Sequence, residues 1–177
     1  MESELLDAMT ETQCSAKEAA KLFNIPDGRL QAWMNRGFMQ FKSIEQGPRR
    51  ILRRFDGHDL LMLGAMVSLM NDYGIDVSDA HHIASGMHSS ASLLLMEADM
   101  GKGVQAIPPN YYIITDNKVQ PCFGVDTVQE ARDRVGTNFF SVFNASPAIC
   151  KSLVVVLRWI GKEATAELES AELESTA

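Results

Sequence analysis

The tightest constraint on this chain is a pair of short helices fixed by local punctuation between residues 15 and 37. Ser15-Ala-Lys-Glu18 has capping-box spacing, in which a hydroxyl and a carboxylate reciprocally satisfy amides at a helix start. Ala16, Ala19, Ala20 and Phe23 then fall at i, i+3, i+4 and i+7, one apolar stripe. Asn24-Ile25-Pro26 breaks the pattern, because proline disfavours helical geometry at the residue before it. A second helix is expected over 27–36, with Leu30, Trp33 and Met34 inward and Arg29, Gln31, Ala32, Asn35 and Arg36 outward. Gly37 closes it. Two short helices across a three-residue turn make a helix-turn-helix unit, a shape suited to seating one helix in a DNA major groove.

Beyond Gly37 the pattern becomes strand-like. Phe38–Lys42 and Arg49–Phe55 flank Gln46-Gly47-Pro48, a basic hairpin or wing. Arg49, Arg50, Arg53 and Arg54 lie within six residues and would repel one another without an anionic partner. Asp56 can cap a third helix whose Leu60, Leu63, Val67 and Met70 form a core stripe, and Gly74 ends it. Asp76 or Ser78 starts a fourth, carrying Val77, Ala80, Ile83 and Ala84.

The net charge of −7 is an average over unlike parts. Residues 15–60 hold nine basic and five acidic side chains, a local +4, which leaves −11 on the remainder. Solvent screens exposed charges beyond about 10 Å, so the local surplus governs phosphate binding. No apolar run approaches the roughly 20 residues of a membrane span, and the acidic MESELLDAMTETQ start lacks the apolar core of a signal peptide. Cys14, Cys122 and Cys150 lack CxxC spacing, which suits a reducing cytosol, and the apolar contexts of Cys122 and Cys150 suit buried, inert thiols. A cytoplasmic, nucleoid-associated bacterial protein is therefore expected. His81 and His88 share a helical face, but only Asp79 stands near to complete a ligand set, so no metal is expected. Without a glycine-rich phosphate loop, a GxSxG elbow or HExxH, neither an enzyme nor a cofactor is expected.

AKEAAKLFNIP, LQAWMNRGF, LRRF followed by DGHDL, and YGIDVSDA occur in an order and spacing that resemble the MerR family of winged helix-turn-helix regulators. The resemblance covers roughly residues 15–87. It implies a homodimer on a pseudo-palindromic double-stranded DNA site, the 27–36 helix in the major groove and the wing on flanking phosphate. RNA polymerase at a promoter is a further implied partner. The DNA-contacting set expected is Lys17, Arg29, Gln31, Trp33, Arg36, Lys42, Arg49, Arg50, Arg53 and Arg54. Trp33 can serve as a core anchor, a phosphate neighbour or both. Gln31 stands where many members carry arginine, and Phe55 where tyrosine is usual. Where the family places a long dimerisation helix, residues 85–100 are short and serine-rich, and Gly101, Gly103, Pro108 and Pro109 follow.

The fold class expected is mainly α with small β. A flexible N-terminus (1–14) precedes a winged helix-turn-helix domain (15–100), a linker (101–109), a small C-terminal α+β domain (110–162) and an acidic tail (163–177). The α+β segment reads as ββαβα: a hairpin turning at Asp116-Asn117, a helix opened by Thr127, an aromatic strand over 137–143, and a helix from Pro147 to about 160. Its helices are expected on one side of the sheet, and it is the expected dimerisation platform. A sequence-specific transcription regulator is the leading function. The alternatives are a recombination or partition accessory protein of excisionase type, and a protein-interaction adaptor.

Overall fold

The computed structural model describes residues 4–26, 28–39, 42–45, 51–97, 110–114, 119–122, 125, 127–135 and 141–161. Asp27, Arg49, Arg50, the 101–109 linker, the Asp116-Asn117 turn and the acidic tail lie outside them.

The local punctuation works as its chemistry dictates. In α2 (Ala16–Leu22) the Ser15 hydroxyl accepts from the Glu18 amide, and Glu18 accepts from the Ser15 amide at 2.7 Å. Asn24, at φ +51°, then closes α2 in left-handed geometry, with the Ile25 amide donating to the Ala20 carbonyl at 2.8 Å. Helix α3 (Arg29–Asn35) starts two residues later than its sequence suggests, because Gly28 sits at φ +81°. Gly37, at φ +78°, ends α3, and the Phe38 amide reaches back to the Trp33 carbonyl at 3.1 Å. Leu30, Trp33 and Met34 are buried, as the stripe requires.

The wing pairs β2 (Lys42–Glu45) antiparallel with β3 (Ile51–Phe55), setting Lys42 opposite Arg54 and Ser43 opposite Arg53. A two-residue strand, β1 (Cys14–Ser15), lines the other edge of β3, with Ser15 opposite Arg54. The wing is thereby tied to the residue that caps α2. Phe55 is fully buried, so the root of the ribbon is seated in the core.

Helix α4 (Gly57–Tyr73) opens with a capping box between Asp56 and Asp59 and closes on left-handed Gly74. A single stripe was expected. Instead Leu60, Leu61, Leu63, Gly64, Ala65, Met66, Ser68 and Leu69 are all buried, while Val67 and Met70 are only partly so. The helix is wrapped because α1, α5 and α7 all pack on it. Helix α1 (Glu4–Glu11) replaces the flexible start: it buries Leu5 and Met9, and Met9 lies against Gly57. Two such buried side chains gain about 1.5–3 kcal/mol each, enough to order a short helix that isolated residues could not hold.

Helix α5 (Val77–Glu97) runs on through the serine-rich segment, 21 residues in all. Ala80, Ala84, Met87, Ala91 and Leu95 continue one buried stripe through them. The C-terminal part has the anticipated ββαβα order: β4 (Tyr111–Ile114), β5 (Val119–Cys122), α6 (Val128–Val135), β6 (Ser141–Asn144) and α7 (Ser146–Trp159). The sheet is antiparallel, ordered β5-β4-β6. Its helices do not share a side. Tyr111, Ile113 and Val142 bury against Ala131 of α6, whereas Tyr112 and Phe143 turn to the main core. Both faces are covered, which is why the run YYII is apolar without alternation.

No separate C-terminal core exists on the α7 side. Helix α7 contributes Ile149, Leu153, Val156 and Leu157 to the same cluster as Leu60 and Leu63. The Ser152 hydroxyl donates to the Leu61 carbonyl at 2.7 Å, and Tyr73 donates to the Asn144 carbonyl at 3.1 Å. Gly64 permits the approach: a Cβ there would strike Ser152 Oγ and the Phe23 ring together. Gly64→Ala should lower stability by about 1–3 kcal/mol through overpacking. Urea unfolding should show a lower midpoint with the slope retained; an unchanged midpoint would mean that α4 and α7 are not in this contact.

Candidate nucleic-acid interface

The basic residues converge on α3 and the wing. At about 100° per residue, the exposed side chains of α3 run around the helix as Gln31, Asn35, Ala32, Arg36, Arg29. They span an arc of about 160°, with no carboxylate in it. Arginines occupy one edge, amides the other, and the small Ala32 lies between, where close approach to another surface is sterically free.

Each edge is held by an interaction of its own. The Arg29 guanidinium lies 5.4 Å from the Trp33 ring centroid, a cation–π contact. Trp33 itself is 5 % exposed, so it is a core anchor that steadies Arg29 and offers little area to phosphate. On the opposite edge the Gln31 amide nitrogen donates to Asn35 Oδ1 at 2.9 Å. Asn35 was anticipated as outward-facing but not as part of the site; the i, i+4 Gln–Asn spacing was the signal available.

Lys17 is exposed on α2, and Arg36 is exposed at the C-cap of α3. Lys42 and Arg53 occupy the wing strands by backbone register. Arg54 is half-buried, and its charge is partly answered inside the protein. Donation from the Ser15 hydroxyl and amide holds the Glu18 carboxyl below its usual range, with Arg54 adding to the effect. The backbone pairing of Ser15 with Arg54 joins the wing root to the start of α2.

The remaining titratable groups do not form a chemical centre. Cys14, Cys122 and Cys150 are buried and joined in no disulfide, and burial pushes the Cys14 thiol up to about 11. Among the described residues no three His, Cys, Asp or Glu side chains are arranged to hold a metal. His58 and His88 meet edge to face at 5.4 Å, and His81 lies 5.8 Å from Phe38. All three histidines line a cavity of about 420 Å³ beneath the end of α3 and the start of α4.

Residues 14–87 match the family described as MerR HTH family regulatory protein. They form a MerR-family helix-turn-helix domain. The matched span begins at β1 and ends at Met87 on α5, so α1, the end of α5 and the whole ββαβα part lie outside it. A MerR-type domain makes the chain a DNA-binding transcriptional regulator. No curated protein sequence matches the chain. No described helix is long and apolar enough to cross a membrane.

The three cavity-lining histidines on α4 and α5, two of them within the MerR-type domain, make its stability depend on pH. Burial, then the neighbouring His58, depresses the His88 pKa below its ordinary 6.5; Asp56 opposes them. Burial and then His82 depress His81 in the same sense. The unfolded chain then binds protons that the folded one refuses, so stability is full above about pH 6.5 and falls as pH drops toward the depressed values. His88→Gln should flatten the fall in melting temperature between pH 7 and pH 5. Superimposable pH profiles for the two proteins would contradict this.

Proposed function

We propose that this regulator binds a pseudo-palindromic site as a homodimer, with α3 in the major groove and the β2–β3 wing on flanking phosphate. The observation that carries the reading is the exposed face of α3, where amides and arginines flank a central alanine on a helix anchored by Leu30, Trp33 and Met34. Amides and arginines are the side chains that pair with base edges in the major groove, and a rigid helix is what positions them.

Two half-sites multiply affinity and specificity, and the 110–160 segment, which the family match leaves out, is the proposed dimerisation surface. The protein acts by binding rather than catalysis, in the cytoplasm where its DNA lies, with RNA polymerase as the partner at a promoter.

Selection of bound sequences from a random DNA pool tests the reading. An enriched inverted repeat, with centres about one helical turn or a multiple apart, is expected. Enrichment of an unpaired half-site, or of no sequence, would overturn the dimeric reading. The wing makes a separate claim. Arg53→Ala should reduce the log–log salt slope of binding by about one per half-site and leave base preference unchanged. An unchanged slope, or an altered preference, would remove the wing from phosphate.

A further inference from the structure

The reading helix carries a specificity device at its amide edge. We propose that Asn35 is a positioning residue that fixes the Gln31 side-chain amide, so that α3 selects adenine at one position of each half-site. The proposal rests on α3 lying in the major groove.

A glutamine amide can present its oxygen and nitrogen either way round, and a free Gln31 would offer both. Donation from Gln31 Nε2 to Asn35 Oδ1 at 2.9 Å selects one of the two orientations, the one in which Asn35 turns its oxygen toward residue 31. In that pairing the Gln31 nitrogen points along the helix toward residue 35 and its oxygen points away. The contact uses one of the two Nε2 hydrogens. Gln31 Oε1 and the second N–H remain for an outside partner, an acceptor and a donor side by side.

Among the four bases in the major groove, adenine displays the matching pair, a donor at N6 and an acceptor at N7. Guanine displays two acceptors, which would set O6 against Gln31 Oε1. Cytosine offers its N4 donor, and thymine an acceptor beside a methyl group. Both side chains are exposed, and around the helix Asn35 lies between Gln31 and the central Ala32. The pair therefore borders the part of α3 that can come closest to a groove floor.

The test is selection from a random DNA pool with the full chain and with Asn35→Ala, Asn35→Asp and Gln31→Ala. All three substitutions fall at two exposed positions, and circular dichroism checks that the helices persist. The unaltered protein should enrich adenine at one position per half-site. Gln31→Ala and Asn35→Ala should each reduce that preference about tenfold, leaving other positions as they were. Asn35→Asp keeps an acceptor for Gln31 Nε2 and should retain the adenine preference, with weaker binding from the added negative charge. A specific site whose adenine preference survives both alanine substitutions, or is lost equally in Asn35→Asp, overturns this inference and leaves the DNA-reading role of α3 intact. Enrichment of no sequence by the unaltered protein overturns both.

Discussion

Helix α4 buries side chains around most of its circumference along its middle turns, and the packing of α1, α5 and α7 follows from that. Gly64 is the closest point: the Phe23 ring at the end of α2 and the Ser152 hydroxyl of α7 meet over a position with no side chain. The reading unit and the C-terminal part are thus packed on the same residue. Burial of Leu60, Leu61, Leu63, Met66 and Leu69 around one helix demands partners on all sides, and the chain supplies them as α1, α5, β3 and α7. A MerR-type domain in this chain is therefore not an independent bead followed by a second one. Its third helix is the centre of the larger of the two cores.

This construction matters for DNA reading because α3 is short. Seven residues have little helical stability alone, and the orientation of α3 comes from Leu30, Trp33 and Met34 entering the shared core. The wing is fixed in the same way, by buried Phe55 and by β1, whose Ser15 also caps α2. Reading helix and wing are held to one rigid foundation. Their relative placement, which sets how both could meet a duplex, is determined by packing rather than by the loops between them.

Features governed by chemistry within four residues were legible in the sequence. The capping box at Ser15–Glu18, the cap at Asp56, the left-handed glycines at 37 and 74, and the buried triplet of α3 follow from spacing alone. Features that depend on distant partners were not. Nothing local in an acidic start shows that Leu5 and Met9 will be buried, and a two-residue β1 exists only because β3 has an edge for it. Residues 85–100 read as short and serine-rich, yet the stripe of Ala80, Ala84, Met87, Ala91 and Leu95 runs into them at helical spacing. Placement of α6 and α7 across the sheet likewise depended on α4 and α5 covering the face that carries Tyr112 and Phe143. In the candidate site, the basic residues and Gln31 stood out by type, whereas the place of Asn35 came only from its hydrogen bond.

The shared core makes one demand that can be measured directly. The two tryptophans lie in different halves: Trp33 on α3 and Trp159 at the end of α7. Urea unfolding of each single-tryptophan variant, followed by fluorescence and by far-UV circular dichroism, compares each half with the helices of the whole molecule. One core predicts that within each variant the two probes share one midpoint and slope, although loss of buried Trp33 lowers the midpoint of its own variant. A Trp159 fluorescence transition that is complete before the circular dichroism of the same variant begins to change would contradict it and would mean that the reading domain stands without α7.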